Sequence, residues 1–110
     1  MGAESPDLPQ GTLDLLVLKV LDLEPMHGWG VSKRIQQISD GVLEVNQGSL
    51  YPAMHRLERK GWITSSQGTS ATGRQVRIYR LSKTGKQRLS HQREAWRLLA
   101  AAIDQVLAAG

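Results

Sequence analysis

At 110 residues the chain has material for a single domain that buries about two-thirds of its unfolded surface. The absence of cysteine excludes disulfides, thiolate nucleophiles and thiolate metal sites together. The formal charge of +4 is modest but unevenly placed: up to His55 three cations stand against seven anions, and from Arg56 onward eleven cations stand against three. The C-terminal half therefore carries the field that a polyanion would feel, unless it is simply a solvated basic surface.

Residues 1–9 contain Glu4, Pro6, Asp7 and Pro9 and no apolar run, which predicts a flexible arm rather than a signal peptide or anchor. Apolar stretches elsewhere are broken by charge well short of a membrane span, so a cytoplasmic protein with no membrane partner is expected. A first helix is predicted from about Gln10 to Thr12 onward, with Thr12 as cap and Asp14 in the first turn. It is apolar almost all the way round. A domain this small has too little interior to cover every face, so Leu13, Leu16, Val17 and Val20 are expected at a subunit interface. The competing reading is a central helix wrapped by the rest of the chain.

Pro25 and the glycines at 28 and 30 mark a break, and Val31, Ile35 and Ile38 form the apolar stripe of a second helix ending near Asp40-Gly41. Val42 to Val45 alternates over a few residues in the manner of a short strand. From Gly48 to Gly61 apolar periodicity, a stop signal and cationic charge coincide. Leu50, Met54 and Leu57 define a core face, while Ser49, Pro52, His55, Arg56 and Arg59 fall on the other side. Trp62 to Gln67 and Arg74 to Leu81 predict a β-hairpin around the loop Gly68 to Gly73, with Arg77 and Tyr79 on one face and cations outside. Ser82 is placed to cap a last helix running nearly to the C-terminus. Along it Leu89, Trp96, Leu99, Ile103 and Val106 or Leu107 recur at three- and four-residue steps, either a dimer seam, which the small residues at 100–102 favour, or an internal docking face.

Helix, helix, short strand, helix and hairpin in that order predict an α+β, mostly α, fold: a winged helix-turn-helix over residues 10–82 with a C-terminal dimerisation helix over 83–110. Its outward cationic helix suits phosphates and base edges in a major groove. Ser49 reads equally as a helix cap or a DNA contact, and Tyr51 as a phosphate donor. His55 and Arg56 are the candidate base readers, and Arg59 and Lys60 candidate phosphate contacts. Gln47 reaches either a base edge or the turn. Arg74 and Arg77 either flank the minor groove or are ordinary hairpin surface. His27, His55 and His91 are scattered over different elements, so no metal is expected. No phosphate loop, triad or paired carboxylate is visible, so neither catalysis nor a cofactor is expected.

Three blocks are also familiar as sequence. Gly11-Thr12-Leu13-Asp14-Leu15-Leu16-Val17-Leu18, then Pro25-Met26-His27-Gly28-Trp29-Gly30, then Gly48-Ser49-Leu50-Tyr51-Pro52-Ala53-Met54-His55-Arg56-Leu57-Glu58 resemble the PadR family of bacterial transcriptional regulators, as does the wing end Tyr79-Arg80-Leu81-Ser82-Lys83-Thr84-Gly85. The resemblance runs from about Gly11 to the C-terminus. It implies a homodimer that reads an inverted repeat in double-stranded DNA, usually as a repressor, with the last helix packed on the partner's first helix. It also implies that Trp96, otherwise a filler of the seam, could line a pocket for a small aromatic effector between subunits. Trp29, where a tyrosine is common, and Ile78, where an aromatic often precedes Tyr79, depart from the family pattern. The rival function is a winged-helix docking module without specific DNA binding.

Overall fold

The computed structural model describes residues 8–110, so most of the arm expected over 1–9 lies outside the described residues. Four helices and a small antiparallel sheet follow one another as α1 (Gln10–Leu23), β1 (Met26–His27), α2 (Gly28–Ile38), α3 (Gln47–Arg59), β2 (Ile63–Thr69), β3 (Gln75–Leu81) and α4 (Lys83–Ala108). This is a winged helix with one long C-terminal helix.

Helix α1 is the centre of the molecule. Leu13, Val17, Leu18, Val20 and Leu21 are buried and meet Val31 and Ile35 of α2, Leu50, Ala53, Met54 and Leu57 of α3, Ile63 of β2, Tyr79 of β3 and Leu89 of α4 in one core. Leu13, Val17 and Val20, expected at a subunit seam, thus lie inside the protomer, and so does Leu89. The reason is geometric: α2, α3, β3 and α4 all contact α1, which leaves Leu15 and Leu16 partly and Leu23 largely uncovered among its leucines and valines. The helix begins at Gln10 behind Pro9, so Thr12 is an interior residue and caps nothing.

The short strand sits before α2, not after it. Met26 and His27 pair with Tyr79 and Ile78 on the free edge of β3, giving the sheet order β1-β3-β2. Val42 to Val45 forms no strand; Leu43 and Val45 pack their side chains against the core while the backbone stays outside the sheet. The β2–β3 register pairs Ile63 with Leu81 and Thr69 with Gln75. It puts Tyr79 and Ile63 on the core side, and Arg77, two residues from Tyr79, therefore also faces α3. Arg77 shares a face with Tyr79 as expected and remains exposed.

Ser82 caps α4 as expected, accepting from the Gly85 amide at 3.0 Å and donating to the Gly61 carbonyl at 2.6 Å. Gly85 is obligatory here, because a Cβ would lie 1.9 Å from the Trp62 carbonyl oxygen. Beyond these first turns α4 runs beside α1 as far as Leu99 without burying any residue. Its 26 residues span about 39 Å at the helical rise, yet only Gly85 and Leu89 are buried. Trp96, Leu98, Leu99, Ile103, Val106 and Leu107 are all at least 45% exposed.

Candidate nucleic-acid interface

Helix α3 is fixed in depth and rotation by four buried residues, Leu50, Ala53, Met54 and Leu57, at helical spacing. Its start is set by Asn46, whose side-chain oxygen accepts from the Ser49 amide at 2.8 Å. Asn46 therefore supplies the cap, and the Ser49 side chain is left exposed with those of Pro52, His55 and Arg59 along the outward face. Asparagine is among the strongest N-cap residues, so this boundary is legible in the sequence, and Pro52 falls inside the helix at its second turn.

Two residues at the helix start are tied to α2. Gln47 donates to the Ser32 hydroxyl at 3.2 Å, and that hydroxyl donates to the Trp29 carbonyl at 3.0 Å, so the Gln47 side chain bonds α2 rather than the turn. The hydroxyl end of the Tyr51 ring lies against Gly28, where an added Cβ would come within 2.7 Å of it. Glycine at 28 thus admits the phenol, and 37% of Tyr51 remains exposed.

Arg56 is turned differently from the outward position expected of it. Its guanidinium bonds and ion-pairs with the carboxylate of Asp14 on α1, with side-chain exposures of 21% for Arg56 and 10% for Asp14. Loss of hydration on burial pushes the Asp14 carboxyl above its ordinary value, only partly offset by the attraction of Arg56, then of Lys60 and Arg88. Arg56 Nε is buried without a partner among the described residues. The sequence offered no sign of this pairing, because Asp14 and Arg56 are 42 residues apart. At the other end of α3, Lys60 lies 4.8 Å above the Trp62 ring, which Arg88 covers at the same distance.

The wing is a tight hairpin. Ser70 and Arg74 close its loop through Ser70 N–H to Arg74 O at 2.8 Å, and Gly73 accepts the positive φ of 85° that the turn requires. Arg74 is exposed beside this tip. Arg77 donates to Ser65 at 2.8 Å, and Ser65 donates to Glu58 of α3 at 2.5 Å, so a polar chain links wing to helix. Burial, reinforced by Glu58, holds the Tyr79 hydroxyl above its usual range. Between wing and α3 runs a cleft of about 800 Å³ whose walls include Tyr51 and Gln47 on one side and Arg74 and Arg77 on the other.

Candidate metal ligands are not gathered: among the described residues no three His, Asp or Glu side chains converge, and His27, His55 and His91 stand on β1, α3 and α4. No described helix is long and apolar enough to cross a membrane. Trp96, 46% exposed, borders a second, apolar groove of about 330 Å³ between α1 and α4, together with Thr12, Leu15, Gln92 and Leu99.

A three-helix core that presents one polar helix face beside a basic hairpin defines a winged-helix regulator architecture. Comparison with known proteins narrows it: residues 17–91 match the transcriptional regulator PadR-like family, and the chain belongs to that family. A transcriptional regulator of Mycobacterium tuberculosis is 38% identical over 65 residues, 59% of this chain and 60% of the relative. Among solved structures, a transcriptional regulator from Clostridium thermocellum shares 27% identity and a TM-score of 0.79 over 87% of this chain and 93% of its own. A PadR family regulator from Clostridium difficile shares 26% identity and a TM-score of 0.74 over 87% and 98%.

Proposed function

We propose that the protein is a cytoplasmic, homodimeric repressor that binds an inverted-repeat operator in double-stranded DNA. The observation that carries the reading is the outward face of α3, where Ser49, Pro52, His55 and Arg59 stand exposed opposite a fully buried face and beside the cations of the wing. In this arrangement α3 enters the major groove and the wing, led by Arg74, approaches the adjacent minor groove. His55 is the foremost base reader. Tyr51, Arg59, Lys60 and Arg77 meet backbone phosphates, and Arg56 serves chiefly to hold α3 in place.

The second copy is supported by α4, whose outer half exposes six large apolar side chains that a lone helix in water does not sustain. Leu16, Trp96, Leu99, Ile103, Val106 and Leu107 form the proposed interface, and the groove beside Trp96 is the place for a small aromatic effector. Such a compound would alter DNA affinity only by binding two arrangements of the dimer unequally.

Selection of bound sequences from random duplex DNA tests the reading, since a dimer should recover two half-sites about 10 base pairs apart or a multiple of that. With the recovered duplex in hand, His55→Ala is expected to weaken its binding roughly tenfold, the size of one lost base contact, while leaving a scrambled duplex unaffected. Equal loss on both would remove His55 from base reading. A docking module would recover no sequence and show only weak association at physiological salt.

A further inference from the structure

The two arginines of the wing cleft are held differently. Arg74, exposed beside the tip, bonds Ser70 through its backbone, and its guanidinium has no partner among the described residues. Arg77, also exposed, is tethered: its Nη1 donates to the Ser65 hydroxyl at 2.8 Å, and that hydroxyl donates to Glu58 Oε2 at 2.5 Å. Charge pairing at an exposed site adds little stability, so stability alone does not account for the tether.

Sheet register builds it. Ser65 stands opposite Tyr79 and Gln67 opposite Arg77, so residues 65 and 77 are diagonal neighbours on the face turned to α3, a separation that a long side chain spans. Glu58 lies in the last turn of α3, next to the buried Leu57. Burial raises the Tyr79 phenol, Glu58 adds to that and Arg77 opposes it, so both charges stand close to the Tyr79 hydroxyl. That ring and Arg77 belong to the wall of the cleft between wing and α3. With its hydrogen directed at Glu58, the Ser65 oxygen offers lone pairs to the wing, which is what a guanidinium requires. One N–H of Arg77 is thereby engaged, and the rest of its donor fork stays free among the described residues.

We propose that Glu58 and Ser65 are positioning residues that aim the Arg77 guanidinium at a DNA phosphate beside the wing. The inference rests on the DNA reading above and adds to it two residues that themselves touch no DNA. An arginine that moves freely in solvent gives up rotamer freedom when it grips a phosphate, and that loss weakens binding. Arg77 has given up part of this freedom on folding. A carboxylate beside a phosphate contact would by charge alone repel the phosphate; here it orients the serine, and the serine orients the cation. The relay also joins the two DNA-facing elements, since Glu58 belongs to α3 and Arg77 to β3, and a wing displaced from α3 would break it.

The test is titration of the intact chain with the duplex recovered by selection, over a range of salt. Arg77→Gln is expected to weaken binding and to reduce the slope of log affinity against log salt by about 0.9, one phosphate's worth. Ser65→Ala should weaken binding by roughly three- to tenfold with the slope unchanged, because the charge remains and only its aim is lost. In the Arg77→Gln chain the same serine substitution should have almost no further effect. Glu58→Ala removes a negative charge from beside the phosphate, which on charge alone tightens binding; positioning predicts no tightening, because the guanidinium is released at the same time. Undiminished affinity of Arg77→Gln or Ser65→Ala, or tighter binding by Glu58→Ala, would overturn the relay while leaving the DNA reading intact. So would a serine effect that keeps its full size once Arg77 is gone, the result of a hairpin that is merely loosened. No salt-dependent duplex binding by the unaltered protein would overturn both.

Discussion

Arg56→Ala is expected to lower the stability of the protein by about 3 kcal/mol, the usual cost of removing one partner from a buried ion pair. Asp14 keeps only 10% of its side chain exposed and accepts from the Arg56 guanidinium, so truncating the arginine strands a desolvated carboxylate against the core side of α1. Thermal melting of a chain this size should fall by roughly 10 °C or more. The complementary substitution behaves differently. Asp14→Asn keeps an acceptor for the guanidinium and removes the charge that burial penalises, so its cost should be small, and combining it with Arg56→Ala should recover much of the loss. A melting temperature for Arg56→Ala within a degree or two of the unaltered protein would show that the pair does not hold α3 to α1.

The same carboxylate sets a dependence on pH. Its pKa is raised in the fold, so the folded state favours the protonated form, and the stability this gives is fully present below the ordinary value of 3.8 and is lost as pH rises through the raised one. Denaturant midpoints of the unaltered protein and of Asp14→Asn, compared from pH 3.5 upward in roughly half-unit steps, remove the contribution of every other group. The advantage of the unaltered chain over Asp14→Asn should shrink through the weakly acidic range and then level off. A difference that grows with pH would mean that Arg56 outweighs the lost hydration.

The fate of Arg56 shows how the sequence and the structure divide the work. Periodicity located the core face of α3 from Leu50, Met54 and Leu57, because a helical repeat is a local property. Whether a flanking arginine turns outward or inward depends on what stands opposite, here an aspartate one helix away in space and 42 residues away in sequence. The order of elements was legible for the same local reasons, with the hairpin, the Ser82 cap and the long last helix all at their expected places. Strand β1 was not, since two residues acquire strand geometry only by meeting the edge of β3. His27 capping α2 was equally hidden, as histidine is not among the residues that cap helices by preference. The apolar wealth of α1 is compatible in sequence with either a subunit interface or a central wrapped helix; four elements of the same chain cover most of it, and the unpartnered surface lies on α4.

That relocation makes α4 the place to break the proposed dimer. Ile103→Glu puts a carboxylate in the middle of the row formed by Trp96, Leu99, Ile103 and Leu107, at a position already 45% exposed, so the protomer itself should lose little. Across a twofold interface the substitution appears twice, each copy desolvated against apolar neighbours, and at low micromolar concentration the protein should sediment as a monomer. Two consequences follow from the geometry of α4. Its outer turns, deprived of their packing, should fray, which far-ultraviolet dichroism would read as lost helix. The two recognition helices would no longer be tethered to one operator, and affinity for an inverted repeat should fall by roughly 10²- to 10⁴-fold, whereas binding to a single half-site, already monovalent, should barely change. Unchanged sedimentation with undiminished operator binding would place the subunit contact elsewhere than on this row.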